Sequence, residues 1–163
     1  MTNLRKRFEI VQGYHELGMA AEALAELADI EREVGPSTET LALRMVLHRA
    51  GGQWTEMREV ADMLNRRQPT QPETWIWLAD ATRHSVSLEA ARDILMEAEK
   101  TFPANAHIKF QIGCYHCRLG AIDPAEAYVR AAIALDQRWG RIALADEDVR
   151  ELWSRLEAKH GKD

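Results

Sequence analysis

The sequence has little of what most directly indicates a chemical activity. Only two of its 163 residues are cysteine, Cys114 and Cys117, and they stand three positions apart in the stretch CYHC. A disulfide framework needs more cysteines, so this usage predicts a reducing compartment and a cytoplasmic protein. No apolar run is long enough to cross a bilayer, and the opening MTNLRKRFEI lacks the apolar core of a signal peptide. We therefore expect no membrane association.

The charge balance and the motif content exclude further classes. Acidic residues outnumber basic ones by 26 to 21, for a net charge of −5, whereas general nucleic-acid binding needs a basic face. No glycine-rich phosphate loop, GxSxG or HExxH occurs. The acidic runs EREV and ADEDVRE are typical of solvated helix faces. A paired-carboxylate active site would also need a pocket that shifts pKa values. The sequence predicts a protein without enzymatic activity, cofactor or metal.

What the sequence does contain is an internal repeat with a period of about 34 residues. The positions that recur at this step include Gly18, Gly52, Val86 and Gly120, then Ala23, Met57, Ala91 and Ala125, and Val11, Met45, Ala79 and Gly113. Four repeats follow without a gap, at 4–37, 38–71, 72–105 and 106–139. The sequence therefore predicts a repeat block over 1–139 and a closing segment over 140–163.

Each repeat has the pattern of two helices, which is clearest in the third. Its two apolar stripes at helical spacing are Trp75, Leu78, Ala79 and Thr82, then Leu88, Ala91, Leu95 and Ala98. Pro103 ends the second helix, because proline cannot continue a helix. In the closing segment, Val149, Leu152, Trp153 and Leu156 predict one more amphipathic helix, with Asp146 as its cap and Gly161 at its end.

With this repeat length and WxxLA at 75–79, the chain resembles the tetratricopeptide repeat (TPR) family. The resemblance covers about four fifths of the chain, and the closing segment is similar to those of some bacterial members. It implies an all-α fold, a right-handed α-solenoid of four helix–turn–helix repeats with a C-terminal capping helix. Repeats one and four depart from the family pattern, because Arg7 and Lys109 stand where a large apolar residue is usual.

The resemblance also implies a concave groove lined by the first helix of each repeat. The groove residues it predicts are Phe8, Gln12, His15, Ala42, Val46, Arg49, Ile76, Trp77, Asp80, Arg83, Phe110, Cys114, Cys117 and Arg118. Chaperone-binding members clamp a peptide's terminal carboxylate with Lys, Arg and Asn. Here those slots hold Phe8, Gln12, Val46, Glu73 and Trp77, so a clamp of that kind is not expected.

The remaining groove has an apolar floor, with arginines and histidines along one edge. Such a composition is typical of an interface hot spot. We therefore predict a scaffold or adaptor that binds a protein or peptide segment with apolar anchors and some acidic residues. The alternatives are that neighbouring helices bury the floor residues as packing, or that the C-terminal helix folds into the groove. A further alternative is homo-oligomerisation, most simply a homodimer, through apolar surface of the first repeat or of the Trp153 helix.

The stretch CYHC allows one more alternative, a metal-responsive or redox-responsive module. Cys114 and Cys117 supply only two of the four ligands of a structural zinc site, with His84 and His107 as distant candidates. A disulfide between helical neighbours three apart is strained, because their Cβ atoms lie too far apart. In register with the other repeats, the two cysteines face the groove, while Tyr115 and His116 belong to the packed side.

Overall fold

The computed structural model describes residues 4–158, and every regular element in that range is a helix. Eight long helices come first: α1 Leu4–Glu16, α2 Ala20–Val34, α3 Thr38–Ala50, α4 Trp54–Arg67, α5 Pro72–Ser85, α6 Leu88–Thr101, α7 Ala106–Arg118 and α8 Ile122–Leu135. Three short elements follow: α9 Arg138–Ala143, a 3₁₀ helix Glu147–Leu152 and α10 Trp153–Glu157. The predicted all-α class is confirmed.

The odd-numbered helices α1, α3, α5 and α7 are the first helices of the predicted repeats, and each starts one repeat period after the previous one. Local sequence fixes several of these starts. The Ser37 hydroxyl accepts a hydrogen bond from the Thr40 N–H at 3.2 Å, and the Asn105 side chain accepts one from the Ile108 N–H at 2.9 Å. These caps satisfy amides that have no partner inside the helix.

The turns inside the α3–α4 and α7–α8 pairs each have one left-handed position, whereas the α5–α6 turn, with Val86 there, has no positive φ. Gly52 and Gly120 occupy the left-handed positions with φ of 67° and 78°, where a side chain would be strained. The left-handed turn accounts for the recurrence of glycine at positions 52 and 120, since both glycines follow the last turn of a first helix.

The described chain forms two compact units, which divide after Ser85. The N-terminal unit contains α1–α5 and has two buried clusters. One cluster lies between α1, α2 and α3 and contains Val11, Ala23, Leu27, Ile30 and Leu47. The other lies between α3, α4 and α5 and contains Leu41, Met45, Met57, Val60, Ala61, Leu64 and Ala81. Burial of these side chains, at about 1.5–3 kcal/mol for each large one, is the main source of stability in this unit.

The C-terminal unit contains α6–α10, and its tightest contact is the approach of α7 to α8. Gly113 is buried there, and a Cβ atom at this position would lie 2.8 Å from Cγ2 of Val129 and 3.3 Å from the carbonyl oxygen of Ala125. Gly113 is therefore the small residue that lets α7 and α8 approach this closely.

The two cations at usually apolar positions are held by carboxylates of neighbouring second helices. Arg7 binds Glu26 at 2.6 Å and Glu33 at 2.8 Å, both on α2. Lys109 binds Glu99 of α6. The departures from the family pattern therefore replace an apolar contact with an ion pair at the same place.

The closing segment differs from the single helix that the sequence predicts. Asp146 does cap, accepting a hydrogen bond from the Asp148 N–H at 2.9 Å, but a 3₁₀ helix follows and the backbone at Val149 leaves helical geometry (φ −116°, ψ 19°). In a 3₁₀ helix, residues three apart point the same way. Val149 and Leu152 are both fully buried, so the 3₁₀ turn keeps these two residues on one face, as a regular helix would. The predicted helix end at Gly161 lies outside the described residues.

We predict opposite effects from adding one methyl group at two helical glycines. Gly113→Ala should lower the free energy of unfolding by about 1–3 kcal/mol, because Val129 and the α8 backbone leave no room. Gly13→Ala in α1 should raise it by about 0.5–1 kcal/mol, since nothing lies within 4 Å of its Cβ position. Urea titration of both variants measures this, and equal stability of the two would contradict the packing described for α7 and α8.

Candidate functional site

In the N-terminal unit, the first helices α1, α3 and α5 form an open cleft of about 510 Å³, which we call the α1–α3–α5 cleft. Its lining residues are Phe8, Gln12, Glu39, Ala42, Leu43, Met45, Val46 and Trp77. Five of them are predicted groove residues, and Val46 is 40% exposed despite being apolar. Glu39 is not among the predicted groove residues. It lies in the first turn of α3, where a carboxylate is favoured by the helix dipole. The structure therefore brings five residues of the predicted set together in this unit, whereas Ile76 is not among the residues that line the cleft.

The predicted cationic edge of the N-terminal unit is already paired. Asp80 accepts a hydrogen bond from Nε of Arg83 at 3.0 Å and lies 3.7 Å from Arg49. The prediction assigned these arginines to acidic groups of a ligand, and the structure shows an internal acid between them instead. Two cations around one carboxylate still leave a net positive charge, and the Arg49 side chain is 58% exposed. His15 and Ile76 are half-buried.

In the C-terminal unit, the corresponding face of α7 is covered by the C-terminal segment, residues 138–158. Phe110, Cys114 and Cys117 are 1%, 2% and 4% exposed. The residues of the segment in the same cluster are Trp139, Ala143, Val149, Leu152 and Leu156. The prediction of an open groove here is therefore replaced by its alternative, a C-terminal segment folded onto the groove face. The physical reason is that Val149 and Leu152 are themselves too apolar to remain in water.

Polar contacts complete the attachment of this segment. Arg118 lies 3.7 Å from Asp148, and the indole of Trp153 donates a hydrogen bond to the Ala143 carbonyl at 2.9 Å. Trp139 packs on Phe110 with ring centroids 4.7 Å apart. The α7 face thus binds an aliphatic helical turn that has an acidic residue beside it.

The stretch CYHC has the environment of a packed helix. Neither cysteine forms a disulfide, and burial, followed by the nearby Glu151 charge, raises the pKa of the Cys117 thiol. Such a shift lowers the thiolate fraction and the reactivity. His84 stacks on Trp54 and His107 packs on Trp139. Within residues 4–158, no three His, Cys, Asp or Glu side chains group closely enough to hold a metal ion.

His116 lies on the packed side of α7, as predicted from its register. Its ring stacks on Tyr128 at a centroid distance of 5.6 Å, and its Nδ1 atom is buried without a hydrogen-bond partner among the described residues. Burial lowers the pKa of His116, and the charge of Arg92 lowers it further. The Tyr128 hydroxyl donates to Glu99 at 2.9 Å.

No family model matches this sequence, and no curated protein matches it. Several solved structures do match it. A TPR protein of Thermus thermophilus, TTC0263, is 21% identical over 98% of this chain and 84% of that one, with a TM-score of 0.64. MamA from Desulfovibrio magneticus RS-1, residues 41 to the end, is 17% identical over 100% and 98%, with a TM-score of 0.69.

A third match is PcrH in complex with the chaperone binding region of PopB. It is 20% identical over 76% of this chain and 97% of that one, with a TM-score of 0.56. The chain therefore has the TPR fold, which confirms the predicted resemblance at the level of the fold. None of the helices in the described part of the chain is long and apolar enough to cross a membrane.

We predict that the two thiols report the attachment of the C-terminal segment. Leu152→Ala removes a fully buried side chain and should destabilise the segment by about 2–5 kcal/mol, so Cys114 and Cys117 should react much faster with a thiol reagent. Leu17→Ala, at a position 74% exposed, should leave the rate unchanged. Rapid labelling of native wild-type protein would contradict the burial of these thiols.

We also predict that His116 contributes to acid destabilisation. Its pKa is lower in the folded state, so the unfolded chain binds the proton first. The stabilising effect of the neutral ring is therefore complete above pH 6.5 and is lost as the pH falls below that value. His116→Phe keeps an aromatic ring against Tyr128, and its free energy of unfolding should fall less than that of wild type between about pH 7 and pH 5. Identical pH profiles would contradict this assignment.

Proposed function

We propose that the chain is a non-enzymatic adaptor that binds a segment of another protein in the α1–α3–α5 cleft. The observation that carries the proposal is the difference between the two compact units. In the C-terminal unit the groove face of α7 binds the C-terminal segment, whereas in the N-terminal unit the equivalent face is an open cleft with an exposed Val46. Large exposed apolar surface is uncommon on soluble proteins without a partner.

The covered face of α7 supports a specific chemistry for the ligand. Val149, Leu152 and Leu156 place aliphatic side chains at i, i+3 and i+7, and Asp148 precedes them beside Arg118. A ligand of the cleft then has aliphatic anchors for Phe8, Ala42 and Trp77 and an acidic residue near Arg49. In helix-in-groove binding of this kind, the groove contacts apolar residues that lie at helical spacing on the ligand.

The similar fold of PcrH, solved with a region of PopB, is consistent with a protein ligand. Because the two chains share only 20% identity, this likeness supports a protein segment as the class of ligand and nothing more specific. Self-association remains the alternative function, and it differs from an adaptor in needing no second protein.

We predict that Val46→Glu abolishes or strongly weakens binding of the partner. A carboxylate at this partly exposed position leaves the core intact but places a charge on the apolar wall of the cleft. Partners recovered by crosslinking and mass spectrometry with wild type are then measured for affinity against the variant, and we expect at least a tenfold loss.

The matched control is Val34→Glu, which adds the same charge at an exposed valine at the end of α2, away from the cleft. It should bind as wild type does. Equal binding by Val46→Glu and Val34→Glu would overturn the cleft as the binding site. A dimer in light scattering that Val46→Glu dissociates, with no other protein bound, would replace the adaptor by self-association.

A further inference from the structure

A second open cleft lies at the C-terminal end of the C-terminal unit and is independent of the α1–α3–α5 cleft. It has a volume of about 680 Å³ and lies between α8, α9 and α10; we call it the α8–α9 cleft. Its lining residues are Arg130, Ile133, Ala134, Gln137, Gly140, Arg141, Leu144 and Leu156. The floor is apolar, and this described lining contains two arginines and no carboxylate.

The sequence of α8 differs from that of α6 at four positions on its outer surface, of which position 134 lines this cleft. Its outward positions 127, 131, 134 and 135 hold Ala, Ala, Ala and Leu, while the same four positions of α6 hold Asp93, Glu97, Lys100 and Thr101. Leu135 is 46% exposed, and Leu144 on the other side of the cleft is 41% exposed. A helix that only faced water would keep the charges that α6 has.

The place beside α8 corresponds to the one that a first helix fills beside α2 and α6. Within the N-terminal unit α2 is packed against the 13-residue α3, and within the C-terminal unit α6 is packed against the 13-residue α7. After α8 comes only the six-residue α9, and the chain then returns to α7. The α8–α9 cleft includes Ile133, the counterpart of Glu31 and Glu99, which contact the next first helix in the earlier repeats.

The charged residues at this place differ from those at the contacts of α2 and α6. Glu31 of α2 pairs with Arg44 of α3, and Glu99 of α6 pairs with Lys109 of α7. In both pairs the second helix supplies the acid and the covering helix supplies the cation. The equivalent position of α8 is Ile133, one repeat period after Glu99, so α8 has no acid there, and the cations that line the cleft are Arg130 of α8 and Arg141 of α9.

We propose that the α8–α9 cleft docks an amphipathic helix of a partner protein, with aliphatic residues toward Ile133 and Leu144 and carboxylates toward Arg130 and Arg141. Arg130 binds Glu126 at 2.8 Å, so Arg141, exposed at the rim, supplies most of the preference for an acidic ligand. Complementary charge at such a rim determines which partner binds.

The test uses two synthetic helical peptides with leucines at i, i+3, i+4 and i+7. The remaining positions are glutamate in one peptide and lysine in the other. The whole chain is ¹⁵N-labelled, and amide shifts are followed during titration. We expect the glutamate peptide to shift the amides of residues 130–144 and to bind about tenfold more tightly than the lysine peptide. Arg141→Glu should invert this preference, and Arg66→Glu, at an exposed arginine of α4, should leave it unchanged.

Four results would overturn the proposal. The first is that the glutamate peptide shifts no amides in residues 130–144, and the second is that the two peptides bind there equally well. The third is a dimer in light scattering without peptide that Leu144→Glu dissociates, which makes the cleft a contact between copies. The fourth is binding only after removal of residues 159–163, which makes the end of the chain the occupant.

This test is separate from that of the proposed function. The Val46→Glu variant changes only the α1–α3–α5 cleft, so it should bind the glutamate peptide at the α8–α9 cleft as wild type does. Failure of either proposal can therefore be recognised without reference to the other.

Discussion

The structure depends on how each first helix divides its surface between two contacts. On α7 one side meets α8 so closely that Gly113 has no room for a side chain. Beside that contact, Phe110, Cys114 and Cys117 pack in one cluster with Ala125 and Val129 of α8, and their remaining surface faces away from α8. A face with an aromatic ring and two thiols is not stable in water, so another element has to cover it. In the C-terminal unit that element is the C-terminal segment.

The same requirement explains why the N-terminal unit has an open cleft. There α1 and α3 pack against α2 and α4, and Phe8, Ala42 and Val46 line the cleft at the border of the buried clusters. The fold supplies equivalent faces in both units, and among residues 4–158 a segment that covers this face is seen in the C-terminal unit. The proposed function therefore rests on one groove face being covered and the other being open, rather than on any reactive group.

Much of this could be predicted from the sequence, because the period is strict. The common spacing located the helix starts and the slot of Gly113, since packing of paired helices imposes the same residue sizes on every repeat. Two features could not be predicted. The pairing of Arg49 and Arg83 with Asp80 depends on contacts between helices. The split of the closing helix at Val149 depends on burial against α7, and this tertiary contact overrides the local helical pattern.

The central claim is that the groove face is occupied by its own chain at α7 and is available to another protein at α3. Site-specific photo-crosslinking tests it most directly, with the reactive side chain placed at position 46 in one variant and at position 118 in another. The account predicts crosslinks from 118 to the chain's own 3₁₀ helix, near Asp148, and crosslinks from 46 to a different protein. Crosslinks from 118 to another protein, together with none between molecules from 46, would contradict it.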